Sequence, residues 1–387
     1  MAPAPTKPSI GHFRRRYLSR TETFIYGFLA RARRFVPRVM TDVAQNLQAF
    51  PVDCTYLLCE HDIRELRRDM GPEHRDFVRA FVERLDYPNC YRRHIVEQDM
   101  QVLHAHFGDT GCEALELKRT LGIPLVTSFY GVDASKIARS ERWRRAYRRM
   151  FGAAERILAL GNNMAGRLRV LGCPPEKIAI VHLGVDTDDI AFSPPRAPDK
   201  GEPTRLLYCG RLVEKKGGLD LLTAFRHLAP RWGNLHLRIV GDGPLRRRLE
   251  ARTHRWQLQD RVTFRGSVAH EQVLEEMQRA HLFCLPSRTS SDGDMEGTPS
   301  VLMEAQASGL PVVSTRHADI PEVVLDGLSG YLVPERAPEE LARILDFVLQ
   351  NPERWEALAA QGRSHVEEHY NIHVQAARLE SLYLELM

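Results

Sequence analysis

The chain has 387 residues, of which 43% are hydrophobic and 27% charged, with a formal net charge of +4. This composition excludes disorder throughout, and the length favours two domains because it exceeds what one hydrophobic core usually organises. No apolar run approaches the ~20 residues that span a bilayer, and the N-terminus lacks the apolar segment of a secretory signal. Seven scattered cysteines without metal spacing are typical of reduced thiols, so we expect a cytoplasmic protein.

Charge is unevenly distributed along the chain. Residues 1–192 hold 30 Lys and Arg against 23 Asp and Glu, and the remainder holds 24 against 27. The excess is mostly arginine, in the clusters 14–16, 31–34 and 139–149. These clusters predict a face for an anionic partner, such as the inner surface of a membrane or a phosphorylated acceptor; the alternative is a solvated helix face. No nucleic-acid motif is present, so we do not expect nucleic acid as a partner.

Short apolar runs alternate with longer amphipathic runs in the first half of the chain. This pattern predicts strands at 101–106, 124–129 and 156–160, and helices at 110–121 and 138–152. Four prolines then follow within residues 192–203. Because each proline resists helix formation and lacks a backbone donor, we predict a linker at 193–203.

The second half repeats the alternation. It predicts strands at 205–209, 235–240, 261–264, 282–285 and 311–314, and helices at 217–229, 244–257, 270–280, 299–308 and 337–350. Such alternation is typical of βαβ units with parallel sheets. We therefore predict an α/β protein of two Rossmann-like domains, 1–192 and 204–371, that face each other across a ligand-binding cleft.

The segment 290–304 carries two carboxylates around a predicted helix start. Thr298 is predicted to be the N-cap and Pro299 the first helical residue. Free backbone amides and the positive end of this helix suit an anion such as a diphosphate. Glu296 before the helix and Glu304 within it could hold hydroxyl groups of a sugar and a ribose. The alternative is a surface loop with an ordinary cap.

Two further segments have loops after predicted strands. Arg211 and Lys216 follow the strand 205–209, where two cations could neutralise a phosphate leaving group; the alternative is a surface turn. Gly241 and Gly243 follow the strand 235–240 and would let the backbone approach a ligand closely. This turn is not a dinucleotide-binding motif, because Arg246 stands at its third glycine position.

The first half offers fewer candidates. We interpret His104 and His106 as pointing to opposite faces of one strand, so we expect no metal pair and assign one of them to the core. Tyr130 and Asp133 follow the strand 124–129 and are predicted to face the cleft. Motifs of serine hydrolases, P-loop NTPases and zinc metalloproteases are absent.

Taken together, these segments resemble the retaining nucleotide-sugar glycosyltransferases of the GT-B fold, of the glycosyltransferase family 4 type, which carry Glu-x7-Glu. Glu296 and Glu304 stand at that spacing. The other matching segments, over about residues 100–375, are 104–107, 122–126, 184–186, 210–217, 241–244, 264–268 and 309–313. The run 292–297 looks most like the subgroup that builds bacterial exopolysaccharides such as colanic acid.

The resemblance implies transfer of a hexose from a nucleotide sugar, with UDP-sugar favoured over GDP-sugar, to a hydroxyl of a glycan or lipid-linked acceptor with retention of configuration. It implies no metal or cofactor, and a C-terminal helix at about 372–387 that packs on the first domain. The implied catalytic residues are Arg211, Lys216 and Glu296. The implied donor-binding residues are Gly210, Gly243, Val268, Gly297, Thr298, Pro299, Ser300, Val301 and Glu304. The implied acceptor-side or sugar-shaping residues are Tyr130, Asp133 and His106.

Two departures from the family and two rival functions remain open. Tyr130 stands where the family often has histidine, and residues 11–25 replace the glycine-rich loop that usually follows the first strand. One rival is a nucleotide-sugar epimerase of the same fold, which would form a second sugar without an acceptor. The other is a non-catalytic sugar-nucleotide-binding partner, which the presence of both glutamates and both cations disfavours.

Overall fold

The computed structural model describes residues 7–19, 22–51, 55–58, 89–199 and 201–387. The chain divides into two compact units, which we call the first domain (Met1–Val181 with Gln375–Met387) and the second domain (His182–Val374). Each is an α/β unit built around a parallel sheet, so the predicted fold class is confirmed.

The first domain contains nine described strands. They are β1 Ser9–Phe13, β2 Arg16–Tyr17, β3 Val36–Thr41, β4 Val43–Ala44, β5 Thr55–Leu58, β6 Met100–His106, β7 Leu125–Ser128, β8 Arg156–Ala159 and β9 Ile178–Ile180. Seven of them form one parallel sheet in the order β5-β3-β1-β6-β7-β8-β9, while β2 pairs with β4. Its described α-helices are Thr23–Ala30, Asn89–Glu97, Gly108–Glu113, Leu115–Leu121, Glu141–Ala153 and Asn162–Val170.

The second domain contains six described strands. They are β10 Thr204–Cys209, β11 Leu235–Val240, β12 Val262–Gly266, β13 Leu282–Leu285, β14 Val312–Thr315 and β15 Gly330–Val333. They form a parallel sheet in the order β12-β11-β10-β13-β14-β15. The described α-helices are Gly218–Leu228, Arg246–Arg255, His270–Arg279, Ser300–Ala307, Ile320–Val323, Pro338–Gln350 and Trp355–His369, and the helix Ile372–Leu384 starts here.

Both sheets place their first long strand in the interior. In the second domain, β10 lies between β11 and β13, so the chain changes direction of winding there. Ligands of open parallel sheets bind beside the carboxyl ends of strands at such a point. The central strands are buried on both faces, as in β13, where all four residues are inaccessible. Helices on both sides of the sheet account for that continuous apolar pattern.

Every element predicted from the sequence is present, with ends shifted by at most three residues. The predicted helix 110–121 consists of two helices, Gly108–Glu113 and Leu115–Leu121. The remaining described elements were not predicted from the sequence and are additions from the structure. They are the strands β1 to β5, β9 and β15 and the helices Thr23–Ala30, Asn89–Glu97, Asn162–Val170, Ile320–Val323 and Trp355–His369.

The boundary between the two units lies before the proline-rich segment. Val185 donates its backbone N–H to the Tyr370 carbonyl at 2.9 Å, and Ser193 donates to Ser308 at 3.0 Å. Arg363 also binds the carbonyl oxygen of Ile190 at 2.7 Å. Residues 182–192, which the sequence assigned to the first domain, thus belong to the second domain.

The last helix, Ile372–Leu384, belongs to the first domain from Gln375 onward. Glu380 accepts hydrogen bonds from the backbone N–H groups of Arg33 and Arg34 at 2.7 and 2.8 Å. Tyr383 is buried and its hydroxyl lies 2.6 Å from His104 Nδ1. These polar contacts anchor the helix to the chain that follows the Thr23–Ala30 helix and to β6.

Candidate active site

Two loops meet at the carboxyl ends of β10 and β13 in the second domain. The loop after β10 carries Arg211 and the short 3-10 turn Glu214–Lys216. The loop after β13 carries Glu296 and leads into the helix Ser300–Ala307. Lys216 Nζ lies 3.3 Å from Glu296 Oε1. The structure therefore brings together two of the residues that the sequence singled out 80 positions apart.

Glu296 is enclosed but remains charged. Its side chain is 9% exposed. Burial alone would raise the pKa of Glu296, but the charges of Lys216 and Lys215 outweigh burial and hold the pKa below its usual range. A buried carboxylate that stays ionised beside a lysine can accept hydrogen bonds from hydroxyl groups.

Glu304 lies in a different electrostatic environment. It stands in the second turn of the Ser300–Ala307 helix and is half-buried. Burial raises the pKa of Glu304, and the charges of His270 and Lys216 oppose the rise only in part. Among the residues that the structure describes, no hydrogen bond or ion pair engages its carboxylate. Of these two carboxylates, Glu296 therefore has a cation as its partner, and Glu304 has none among the described residues.

The predicted helix start is wrong by one residue. The helix begins at Ser300, and Pro299 is the N-cap with an extended ψ of 110°. Thr298 does not cap it, and within the described residues its buried hydroxyl oxygen has no hydrogen-bond partner. The backbone amides of Ser300 and Val301 likewise have no acceptor in the described part of the chain. The helix end thus retains the anion-binding capacity that the sequence predicted.

Two further cations, Arg211 and Lys215, lie on the same loop as Lys216, and they differ in burial and in partners. Arg211 is exposed, and its guanidinium has no ion-pair partner among the described residues. Lys215 is buried and binds Asp294 Oδ1 at 3.1 Å and the Met295 carbonyl at 3.2 Å. Sequence reasoning missed Lys215, although its position beside Lys216 in a loop after a strand was a signal.

The glycines of the β11 turn serve backbone packing. A Cβ atom on Gly241 would lie 2.0 Å from the Gly210 carbonyl oxygen, and one on Gly243 would lie 2.7 Å from the Leu212 carbonyl oxygen. These glycines are therefore required by the neighbouring β10 loop, and their close approach to a ligand stays a prediction. Val268 is half-buried between β12 and the helix His270–Arg279, and Gly297 is buried beside Glu296.

The prediction that His104 and His106 face opposite sides is wrong. Their ring centroids lie 4.4 Å apart, because residues two apart on a strand share a face. His12 on β1 joins them, with Nδ1 at 3.1 Å from His106 Nε2. Burial lowers the pKa of all three, that of His12 to about 3, so the imidazoles are neutral.

Because the rings of His104 and His106 share a face, their spacing along the strand no longer argues against a metal pair. His12, His104 and His106 each offer a ring nitrogen within 4.8 Å of the others. Hydroxyl groups already bind them: Tyr130 lies 2.7 Å from His106 Nδ1, and Tyr383 and Ser128 lie 2.6 and 2.7 Å from the two nitrogens of His104. That the reaction needs no metal stays a prediction.

Tyr130 and Asp133 occupy different positions within the loop after β7. Tyr130 is half-buried and packs its ring 4.7 Å from Phe107. Asp133 is 0% exposed and accepts backbone N–H bonds from Tyr130, Gly131 and Gly108 at 2.9–3.1 Å. The prediction that Asp133 faces a ligand is therefore wrong, because its carboxylate braces the loop. Burial raises its pKa to about 6 against the effect of those amides.

The loop after β1 carries Arg14, in the segment 11–25 that departs from the glycine-rich loop implied by the family resemblance. Arg14 follows the strand directly and pairs with Glu22 at 2.6 Å. Its guanidinium lies 4.0 Å over the ring of Phe107. This cation lies near Tyr130, since Phe107 contacts both side chains.

The basic helix Glu141–Ala153 has a core side and a solvent side. Tyr147, Met150 and Phe151 are buried in the first domain, so the aromatic stripe is part of the core. Glu141 pairs with Arg144 and Arg145 at 2.7 and 3.2 Å. Three further arginines on this helix are exposed: Arg142, Arg148 and Arg149.

Two family patterns cover this chain almost end to end. The pattern described as glycosyltransferase family 4 matches residues 36–189, and the pattern described as glycosyl transferases group 1 matches residues 189–365. The protein WcaL of Salmonella typhimurium, named as a colanic acid biosynthesis glycosyltransferase, is 38% identical over 285 residues, which are 73% of this chain and 70% of WcaL. The chain belongs to glycosyltransferase family 4.

A second relative and a solved structure are also similar to this chain. The amylovoran biosynthesis glycosyltransferase AmsK of Erwinia amylovora is 34% identical over 279 residues, 72% of this chain and 68% of AmsK. Among solved structures, Anabaena HepE in complex with UDP has a TM-score of 0.79 at 16% identity, covering 98% of this chain and 100% of HepE. That similarity shows the GT-B fold. Within the described residues, no helix is both long enough and apolar enough to cross a membrane.

Proposed function

We propose that this glycosyltransferase moves a hexose from a nucleotide sugar to a hydroxyl of a glycan or lipid-linked acceptor, with retention of configuration, in bacterial polysaccharide biosynthesis. The relatives WcaL and AmsK are named for colanic acid and amylovoran biosynthesis, and HepE has been solved with UDP and with UDP-glucose. A UDP-sugar donor is favoured. GDP-sugar is the second donor to test, because a Mycobacterium tuberculosis relative with 31% identity is named as GDP-mannose-dependent.

The observation that carries the proposal is the Lys216–Glu296 ion pair beside the free amides of the Ser300–Ala307 helix. A diphosphate is an anion, and the helix end and two cations would stabilise it together. Glu296 would accept hydrogen bonds from the sugar hydroxyls and Glu304 from the ribose. The backbone near Val268 would contact the base.

In the proposed reaction, Arg211 and Lys216 stabilise the negative charge that develops on the departing diphosphate. The diphosphate leaves from the same face on which the acceptor hydroxyl attacks. A phosphate oxygen takes the acceptor proton, so no side-chain base is required. Tyr130, which relatives often replace by histidine, would hydrogen-bond a donor hydroxyl and align the sugar.

The proposal also places the reaction in the cytoplasm, with peripheral contact between the basic helix and anionic lipid. The free thiols of Cys112, Cys173, Cys209 and Cys284 suit a reducing compartment. The exposed arginines of the helix Glu141–Ala153 would supply the attraction to lipid.

Thermal-shift screening against UDP-, GDP- and ADP-sugars tests the donor assignment, because a ligand that binds only the folded state raises the unfolding temperature. We expect the largest shift with a UDP-sugar. The anomeric configuration of a product formed from that donor, read by NMR coupling constants, then tests retention. An inverted product, or a second nucleotide sugar formed without acceptor, would overturn the proposed reaction.

A further inference from the structure

We propose that His317 and Glu335 are positioning residues for the reaction: His317 holds the backbone amide of Glu296, and Glu335 holds His317 in the tautomer that can do so. The inference rests on the proposed function, in which Glu296 binds the donor sugar. Neither residue belongs to the Glu-x7-Glu segment, and neither is expected to touch the substrate.

Hydrogen-bond chemistry determines the tautomer of His317. The Glu296 backbone N–H can only donate, and it lies 3.1 Å from His317 Nε2. Nε2 must therefore accept, so the ring proton is on Nδ1. Nδ1 lies 2.7 Å from Glu335 Oε1, and a carboxylate there can accept that proton bond. His317 is 0% exposed, so water cannot replace either partner.

Glu335 is connected to two positions of the loop after β13: it binds Thr289 directly and reaches Glu296 through His317. One carboxylate oxygen accepts the Nδ1–H of His317, and the other accepts the backbone N–H of Thr289 at 2.7 Å. Arg336 donates to the Thr289 carbonyl at 2.6 Å. Burial alone would raise the pKa of Glu335, but the hydrogen bonds that its carboxylate accepts from Thr289 and His317 outweigh burial and hold the pKa below its usual range. The ionised Glu335 thus links residue 289 to residue 296 through one imidazole.

The hydrogen-bonded residues Glu296, His317 and Glu335 come from the loops after three neighbouring strands. Glu296 follows β13, His317 follows β14 and Glu335 follows β15, and these strands are adjacent in the sheet. Lys216 pairs with the carboxylate of Glu296, and Lys215 binds Asp294 and the Met295 carbonyl, which belongs to the same peptide unit as the Glu296 amide. Among the described contacts, His317 is the side chain that accepts the Glu296 amide hydrogen itself, so it helps to set the backbone position of Glu296. A displacement of about 1 Å in such a group can cost 10²-fold in rate.

The central experiment compares His317→Leu with His317→Gln. Leucine fills the volume but leaves the Glu296 amide without an acceptor, so we expect kcat to fall by about 10- to 100-fold. Affinity for UDP alone, measured by calorimetry, should change less than about 3-fold, because UDP carries no sugar for Glu296 to hold. Glutamine can accept from Glu296 and donate to Glu335, so it should restore most of the kcat. Glu335→Gln should lower kcat less than His317→Leu.

His281→Leu is the matched control. His281 is a buried histidine of the same domain that accepts a backbone N–H, from Arg205 at 2.9 Å. Arg205 stands at the amino end of β10, the edge of the sheet opposite the candidate site. We expect His281→Leu to lower the unfolding temperature by as much as His317→Leu while kcat stays within about 2-fold of wild type.

Glu296→Ala separates failure of this inference from failure of the proposed function. If Glu296→Ala keeps wild-type turnover, Glu296 does not hold the sugar and both claims fall. If Glu296→Ala is inactive while His317→Leu is fully active, only the positioning role is refuted. Equal kcat losses in His317→Leu and His281→Leu, or no recovery in His317→Gln, would also refute it. In the double variant, His317→Leu should add little to the loss from Glu296→Ala.

Discussion

The two domains place different chemistry at the carboxyl ends of their central strands. In the second domain, Lys216 and Glu296 are charged groups in contact, with an exposed Arg211 on the same loop as Lys216. In the first domain, His12, His104 and His106 are neutral and hydrogen-bonded to one another or to hydroxyls. The second-domain sheet therefore presents charged side chains and backbone N–H groups that have no acceptor among the described residues. The first-domain sheet presents neutral, hydrogen-bonded histidines.

Under the proposed function, this difference assigns the charged part of the reaction to the second domain. The backbone amides of Ser300 and Val301 have no acceptor among the described residues, and the exposed Arg211 has no ion-pair partner there, so both are available to an anionic ligand. In the first domain, both ring nitrogens of His104 and of His106 are hydrogen-bonded within the domain. We therefore expect large kinetic effects from the second-domain loops and mainly stability effects from the first-domain network.

The largest expected effect is a fall in kcat on removal of either cation that we propose to stabilise the departing diphosphate. Arg211→Ala and Lys216→Ala should each lower kcat by roughly 10²–10³-fold, the scale of losing one transition-state donor. Steady-state kinetics with the donor identified by thermal shift measures this. Arg247→Ala, which removes an exposed arginine of the same domain, should leave kcat unchanged. Near-native turnover in both site variants would contradict the assignment.

The second effect concerns Glu304. Glu304→Gln keeps the volume and removes the charge, so UDP and UDP-sugar should bind about 10- to 100-fold more weakly, as expected for loss of a hydrogen bond to a charged group. Calorimetric titration measures the affinity. The exposed Glu356→Gln on another helix is the control. Unchanged affinity for both ligands would return Glu304 to a structural role.

The third effect is a pH dependence of stability in the first domain. Burial lowers the pKa of His12 to about 3, whereas an unfolded histidine has a pKa of about 6.5. Below pH 6.5 the unfolded chain binds the proton and the folded chain does not, so the free energy of unfolding falls by up to about 1.4 kcal/mol per pH unit.

Urea unfolding between pH 7 and 4.5 tests that dependence. His12→Gln should make the fall in the urea midpoint shallower than in wild type, because the titrating group is gone. His254→Gln, at an exposed position, should reproduce the wild-type slope. Identical slopes for His12→Gln and wild type would show that His12 titrates alike in both states.

The fourth effect is small and concerns Tyr130. Its hydroxyl binds His106 at 2.7 Å, and burial raises its pKa further above neutrality, so it acts as a neutral donor. Tyr130→Phe should cost on the order of 1 kcal/mol, a few-fold in kcat, and Tyr130→His should be tolerated. A loss above about a thousandfold in turnover against pH would instead indicate proton transfer at Tyr130.

The smallest expected effect is on lipid binding. The exposed arginines of the helix Glu141–Ala153 should give a several-fold preference for vesicles with anionic lipid over neutral vesicles. Replacing Arg142, Arg148 and Arg149 with Gln, while keeping the ion-paired Arg144 and Arg145, should remove that preference. Equal pelleting of the wild type with both vesicle types would remove the idea.

Much of the second-domain site could be predicted because its residues lie in short local patterns. Glu296 and Glu304 share one loop and helix, and Arg211 and Lys216 share one turn. The first-domain network could not be predicted in the same way. His12 contacts a residue 94 positions away, and Asp133 looks like a cleft residue until its four backbone bonds are seen.

Sequence by itself indicated most strands and helices of the second domain, the α/β class with two parallel sheets and the family, since period, turn residues and motif spacing are local properties of the chain. Only the tertiary structure decided which loops touch. Parallel strands are joined by helices, so their carboxyl ends gather residues far apart in the chain, such as Lys216 with Glu296 and Glu296 with His317. No local pattern specifies those distances; they follow from strand order and register, which packing of the whole sheet determines.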